Sequence, residues 1–137
     1  MTVKYPERAI YQLIATAVGH TRVYMLRAPQ NPTYPCVVIQ RTDSDRWRSI
    51  NSPSGLAQAN IQIDVYAKDI YQAKDEAAKI ETALDGYRNT VYYGGNSPQD
   101  FIRIAGITLN SDTDTLDQTT EDFLYRNLAS YTVTYEQ

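Results

Sequence analysis

Apolar side chains recur at three- and four-residue steps in two stretches of the chain, which predicts two amphipathic helices. The first helix is predicted over residues 6–18, with an apolar face formed by Ile10, Leu13, Ile14 and Ala17. Pro6 suits the first turn of this helix, and Gly19 suits its end. The second helix is predicted between Asp69, a candidate N-cap, and Gly86. Its apolar face is formed by Ile70, Ala73, Ala77, Ile80 and Leu84.

Alternation at period two and short β-branched runs predict strands in much of the remaining chain. The clearest strand begins at Ala59, because apolar residues there alternate with Asn60, Gln62 and Asp64. A charged hairpin tip is predicted between a core strand that starts at Cys36 and a short return strand. Six strands are predicted in all, at residues 22–26, 36–42, 46–50, 59–65, 101–109 and 122–135.

The resulting order of elements, α-β-β-β-β-α-β-β, predicts an α+β fold in which two helices pack on a mainly antiparallel sheet. At 137 residues, the chain is expected to form a single domain over residues 1–137. Two polar stretches that lack periodicity, residues 89–100 and 110–120, are predicted to be flexible loops. In the last strand, one face is predicted to be buried and consists of Ala129, Tyr131, Val133 and Tyr135.

Charge and cysteine content narrow the possible roles. The net charge of −3 argues against a general nucleic-acid binder, which needs a basic surface. Residues 1–50 carry seven Lys and Arg against three acidic residues, whereas residues 51–137 carry six against thirteen. This split, +4 against −7, is compatible with oppositely charged faces that meet in a ring or stack. With one cysteine, no leader-like segment and no membrane-spanning run, we expect a protein made in the cytoplasm and no membrane partner.

Residues that could support catalysis are scarce. His20 is the single histidine, and the single cysteine, Cys36, begins an apolar strand. A Cys-His or Ser-His-Asp arrangement would have to use His20, so we expect no catalytic group. We interpret His20 as a neighbour of the first helix's C-terminus and Cys36 as a small buried residue. The chain is therefore expected not to be an enzyme and to need no cofactor.

Three acidic residues, Asp112, Asp114 and Asp117, have a spacing that superficially resembles a calcium loop. An EF-hand starting at the first of them would need an oxygen ligand at Leu116, a glycine at Asp117 and a carboxylate at Phe123. All three requirements fail, so no metal site is expected. We interpret the three aspartates as an acidic loop and as candidate interface residues.

Two aromatic clusters are further candidates for an interface. Arg46, Trp47 and Arg48 combine cationic and aromatic side chains, which are favoured at interface centres. An ordinary solvated hairpin and direct contact with nucleic acid are alternative interpretations of this cluster. Among the twelve tyrosines, Tyr131 and Tyr135 are assigned to packing, whereas Tyr92 and Tyr93, in the glycine-flanked loop, are better interface candidates.

The order of several short segments resembles that of the tail-completion proteins of long-tailed bacteriophages. These segments are Tyr34-Pro35 before the strand 36–41, Ser54–Ala57 leading into Ile61–Tyr66, the helix ending Ala83–Gly86, Ile104–Ile107 before an acidic loop, and the closing strand Tyr131–Tyr135. The resemblance spans nearly the whole chain. It implies a tail terminator, a structural virion protein without catalytic residues.

The resemblance also implies partners and a location. Such proteins form a ring, usually of six copies, at the head-proximal end of the virion tail. The ring caps the major tail tube protein, stops its polymerisation and meets the head–tail connector or neck protein, and DNA passes through its lumen without specific binding. Two other functions remain open at this point: a neck or tail-tube component of the same virion, and a small ligand-binding or regulatory domain.

Overall fold

The computed structural model describes residues 5–30, 32–48, 53–92, 101–117 and 124–136. Within these ranges the chain forms two helices and six strands. In chain order they are α1 (Pro6–Val18), β1 (Val23–Met25), β2 (Cys36–Arg48), β3 (Pro53–Ala67), α2 (Ile70–Leu84), β4 (Thr90–Tyr92), β5 (Phe101–Asp117) and β6 (Leu124–Glu136). Neither helix is long and apolar enough to cross a membrane.

The strands form one sheet in the order β1-β2-β3-β6-β5-β4. Strand β1 runs parallel to β2, and the other neighbouring pairs are antiparallel. The predicted α+β class is therefore confirmed. Strands β3 and β6 occupy the centre of the sheet and pair from Leu56 opposite Glu136 to Ala67 opposite Tyr125.

Both helices begin and end where local chemistry favours it. Gly19 adopts a left-handed φ of 74° and its N–H donates to the Ala15 carbonyl at 3.1 Å, which ends α1. The Asp69 carboxylate accepts from the Tyr71 N–H at 3.2 Å and caps α2. Gly86, with φ of 81°, donates its N–H to the Ile107 carbonyl, so the chain leaving α2 is fixed against β5.

The hydrophobic core lies between the helices and one face of the sheet. Alternate residues of β3 are buried on this side from Ala57 to Ala67, and α1 and α2 cover them with Ile10, Ile14 and Ile80. The predicted buried face of the last strand is confirmed by Ala129, Tyr131, Val133 and Tyr135. We call this side of the sheet the helix face and the opposite side the open face.

The predicted charged hairpin tip after Thr42 and the separate strand at residues 46–50 are wrong. Strand β2 continues without interruption to Arg48, and its pairing with β3 passes a register shift between Arg41 and Asp43. The polar sequence of this part resembles a turn, but the facing strand β3 provides hydrogen-bond partners that override the local preference. Pro53 starts β3, a position where its missing N–H costs no ladder bond.

The two predicted loops, at residues 89–100 and 110–120, are shorter than expected because parts of both stretches pair with a neighbouring strand. Part of the 89–100 stretch forms β4, which pairs with β5 from Thr90 opposite Arg103 to Tyr92 opposite Phe101, and residues 93–100 lie outside the described part of the chain. The 110–120 stretch is strand as far as Asp117, because β5 continues along β6. Exposed side chains on this extension remove the apolar alternation from which a strand would have been recognised. The bulge predicted at Gly106 is confirmed by a register shift there.

Candidate assembly surfaces

The strand register places the candidate interface residues at two opposite ends of the sheet. At one end, Arg48 lies opposite Pro53 and Tyr92 lies opposite Phe101, so β2 and β4 both finish there and β3 and β5 both begin there. At the other end Asp117 lies opposite Leu124, where β5 leads to β6. We call these the Arg48 end and the Asp117 end.

The Arg48 end combines the two predicted aromatic clusters. Arg46, Trp47 and Arg48 are the last residues of β2, and Arg46 lies opposite Ala57 in the ladder. Tyr92 is 67% exposed, and its ring lies 5.8 Å from that of Phe101. Tyr93 lies outside the described residues. The strand register thus places Arg48 and Tyr92, which are more than forty positions apart in sequence, at the same end of the sheet.

The Asp117 end carries the predicted acidic residues, which are in a strand and not in a loop. In the ladder, Asp112 lies opposite Ala129 and Asp114 opposite Asn127. The Asp114 carboxylate accepts from the Asn127 amide at 2.8 Å and lies 3.2 Å from the Lys74 ammonium. The Asn127 hydrogen bond, and then the bond and charge of Lys74, hold the pKa of Asp114 below its ordinary value.

The open face between the two ends is formed largely by amide and hydroxyl side chains. Thr132 donates its hydroxyl proton to the Asn60 side chain at 2.9 Å, and the Asn110 amide donates to Thr132 at 2.6 Å. Two arginines on this face lie near carboxylates: the Arg103 guanidinium is 3.8 Å from Glu136, and that of Arg126 is 3.0 Å from Asp64. Among the residues whose side chains the structure describes, this face is therefore polar, and both Arg103 and Arg126 have a carboxylate nearby.

Asp64 is a buried charge that the sequence pattern did not single out. Asp64 lies on the open face and is 6% exposed. Its carboxylate accepts hydrogen bonds from the Arg126 guanidinium at 3.0 Å and from the Gln62 amide at 3.2 Å. The Arg126 guanidinium also lies 5.7 Å from the centre of the Tyr66 ring. In sequence, Asp64 occupied an ordinary polar position of an alternating strand, so no signal indicated its burial.

His20 joins the two helices. The Arg22 backbone N–H donates to its Nδ1 at 3.1 Å, so the neutral ring carries its proton on Nε2, which lies 2.9 Å from the Glu76 carboxylate. Glu76 is 5% exposed and is also 3.5 Å from the Lys79 ammonium. Both ring nitrogens of His20 are thus engaged in structural contacts, and neither is free to activate a nucleophile.

Cys36 is buried at 1% exposure on the open face, as expected for a small apolar residue. Burial raises the pKa of its thiol to about 11, with Arg22 opposing the shift. A thiol in this environment is a poor nucleophile at neutral pH. Among the described residues, the side chains of His, Cys, Asp and Glu form no group of three that could hold a metal ion.

Comparison with known proteins gives one family and one fold. A family model described as "Tail completion protein gp17" matches residues 9–136. A chain of the solved structure described as "Virion of native gene transfer agent (GTA) particle" has a TM-score of 0.61. It is 19% identical, and the alignment covers 93% of this chain and 92% of that chain. A comparison with curated protein sequences found no match.

Proposed function

The chain belongs to the tail completion protein gp17 family, and from this membership we propose that it forms a ring on the end of a phage tail tube, stops tube growth there and joins the tail to the head connector. The observation that carries the proposal is the family match, which extends over residues 9–136. The ring consists of copies of this chain, with six as the expected number. Its place is the head-proximal end of the virion tail, and it assembles in the host cytoplasm.

A cap must bind the tube through one side, and its other side must not bind a further layer of tube protein. The two sides therefore need different chemistry. The two ends of the sheet meet this requirement. The Arg48 end presents aromatic side chains such as Tyr92, and the Asp117 end presents Asp112 and Asp114. The parts of these two ends that lie outside the contacts between copies would offer unlike surfaces to the major tail tube protein and to the connector.

The open face suits a position beside passing DNA. Its Arg126 guanidinium lies 3.0 Å from the buried Asp64 carboxylate, which weakens the attraction of this cation for phosphates. The chain as a whole carries a net charge of −3. DNA would therefore slide through such a lumen without specific binding.

The experiment is to purify the chain and image it alone and with tail tubes of the same phage. We expect rings of one size that attach to a single end of each tube, and tubes that no longer lengthen once capped. Filaments that grow with concentration would instead assign the chain to the tube. A monomer at every concentration and salt, with no binding to tubes, would overturn the proposal and favour a ligand-binding or regulatory domain.

Deletion of the gene tests the same proposal in the virion. We expect heads without tails and tails of uncontrolled length, because nothing stops the tube or presents it to the connector. Plasmid-borne wild-type protein should restore joined particles. Normal tails that lack only a neck component would contradict the terminator role.

A further inference from the structure

A groove lies at the Asp117 end between α2 and the β5–β6 ladder. Its cavity has a volume of about 230 Å³. The polar side chains that line it are Lys74, Glu81, Asp112, Asp114, Asn127 and Tyr131. Three of these are carboxylates and one is an ammonium, so the groove is negatively charged on balance. We call it the acidic groove.

Asn127 indicates that the groove lacks a hydrogen-bond donor. The residue is 3% exposed, and its Nδ2 donates to the Asp114 carboxylate at 2.8 Å. Its Oδ1 is buried and has no hydrogen-bond partner among the described residues. A buried carbonyl without a donor is destabilising, so the site favours a ligand that brings N–H groups.

The electrostatics of the groove point to the same kind of ligand. Tyr131 lies at its wall and is 1% exposed. Burial raises the pKa of its hydroxyl above the ordinary value, and the nearby charges of Glu81, Asp85 and Asp112 raise it further. Lys74 is 54% exposed and contacts Asp114, which leaves Glu81 and Asp112 as acceptors for a second cation.

We infer that the acidic groove receives an arginine from the β2–β3 hairpin of a second copy of this chain. A guanidinium presents five N–H donors in a planar fork, and it can satisfy carboxylates and a carbonyl together. The chain carries this group at Arg46 and Arg48, at the end of the sheet opposite to the groove. One end of each copy therefore complements the other end of the next.

Such a contact is heterologous, since two different surfaces meet, and repeated contacts of this kind close into a ring when the rotation between copies allows it. The contact thus rests on the proposed ring and specifies how neighbouring copies in it recognise each other.

The edge of β5 beside the groove supports this docking. Among the described strands, β4 pairs with β5 only at residues 101–103, so residues 110–117 present backbone groups to which a neighbouring strand can add.

Charge reversal tests the contact. Asp112→Lys and Arg46→Glu should each weaken association of the copies at least about tenfold, because each places like charges together. An equal mixture of the two variants should assemble again, since every interface then joins opposite charges. Asp75→Lys and Arg88→Glu reverse charges at exposed residues that do not line the groove and should leave assembly unchanged. Mass photometry measures the populations, and circular dichroism checks the fold.

The inference would be overturned if both single variants assembled like the wild type, or if the mixture failed to assemble. Either result would leave the ring proposal itself intact.

A second measurement does not depend on ring formation. A peptide with the sequence of residues 41–58 is titrated into the labelled Arg46→Glu chain, whose groove is then free. The side-chain amide signals of Asn127 should shift with the peptide and not with an Arg46→Glu peptide. If the wild-type chain proves monomeric yet these signals shift, the groove assignment stands and the ring proposal fails; unchanged signals overturn the assignment.

Discussion

Single residues in this protein show how buried charges are accommodated. Asp64 and Glu76 are 6% and 5% exposed, and each carboxylate has a cationic or polar partner within about 3 Å. Each pair connects distant parts of the chain, since Asp64 and Arg126 are 62 positions apart and His20 and Glu76 are 56 positions apart. Removing one partner would leave a buried charge that water cannot reach, so these pairs specify a unique arrangement as much as they stabilise it.

Ile80 tests the apolar face of α2. The residue is 1% exposed in the core, and Ile80→Asp would bury an unpaired carboxylate at a destabilisation of about 4 kcal/mol or more. Because domains of this size are stable by roughly 5 to 15 kcal/mol, we expect little soluble folded protein. Gln72→Asp, at an exposed position of the same helix, is the matched control and should melt like the wild type. Near-wild-type melting of Ile80→Asp would contradict the face assignment.

Cys36 predicts a pH dependence of stability. Its pKa is raised from 9.0 to about 11, so the folded state holds the thiol proton more strongly than the unfolded state. The resulting stability is fully present below pH 9 and is lost as the pH rises through about 11. Urea unfolding at pH 8 and pH 11 should show a loss of up to about 3 kcal/mol more in the wild type than in Cys36→Ala. Equal losses in the two proteins would show that another group titrates.

At the scale of elements, the two helices depend on each other as well as on the sheet. α1 ends at Val18, and the following His20 reaches the middle of α2 through Glu76. The backbone N–H of Arg22, just before β1, fixes the ring of His20 from the other side. A single imidazole therefore connects the end of α1, the middle of α2 and the start of β1.

His20→Ala should reveal this coupling. The variant leaves the buried Glu76 carboxylate with only the exposed Lys79, and we expect a destabilisation of about 1 to 3 kcal/mol in urea unfolding. Combining it with Glu76→Leu removes the orphaned charge and should recover part of the loss. Lys79→Ala alone should change stability by less than about 0.5 kcal/mol, since its ammonium is largely solvated. A His20→Ala protein as stable as the wild type would show that the contact does not couple the helices.

At the scale of the whole molecule, the sheet separates two kinds of surface. Because strands β2, β3, β5 and β6 span its length, the register carries sequence-distant residues to one end or the other. Arg46, Arg48 and Tyr92 lie toward the Arg48 end, and Asp112, Asp114 and Asp117 lie toward the Asp117 end. β4 finishes and β5 begins at the Arg48 end, and we regard residues 93–100, which lie between them in sequence and outside the described part of the chain, as a candidate for contact with tube or connector.

Replacing residues 93–100 with an Asn-Gly turn tests this segment. A two-residue turn can join β4 to β5 across the Tyr92–Phe101 pair, so we expect the fold and its melting temperature to be retained. β4 must be kept, because Val91 is 5% exposed and the Asn89 carbonyl accepts from the Ile104 N–H. We expect the variant to form rings but not joined virions, as counted by complementation and electron microscopy. A normal virion yield would exclude the segment from joining.

The sequence by itself determined the features that depend on near neighbours. Both helices, their ends at Gly19 and Asp69, the alternating strand β3, the bulge at Gly106 and the buried face of β6 followed from local patterns. The resemblance to tail-completion proteins also rested on the order of short segments. These features were readable because apolar periodicity and capping residues report on contacts within a few positions.

The tertiary structure alone decided how far β2 and β5 extend and which residues meet. Residues 43–48 and 110–117 have turn-like or wholly polar sequences, yet they are strands because β3 and β6 provide their hydrogen bonds. The pairing of Asp64 with Arg126, the pairing of His20 with Glu76, and the grouping of Asp112 with Glu81 arise from contacts between elements that are distant in sequence. No local pattern encodes such contacts, because a polar side chain at an alternating position looks the same whether it faces water or a partner.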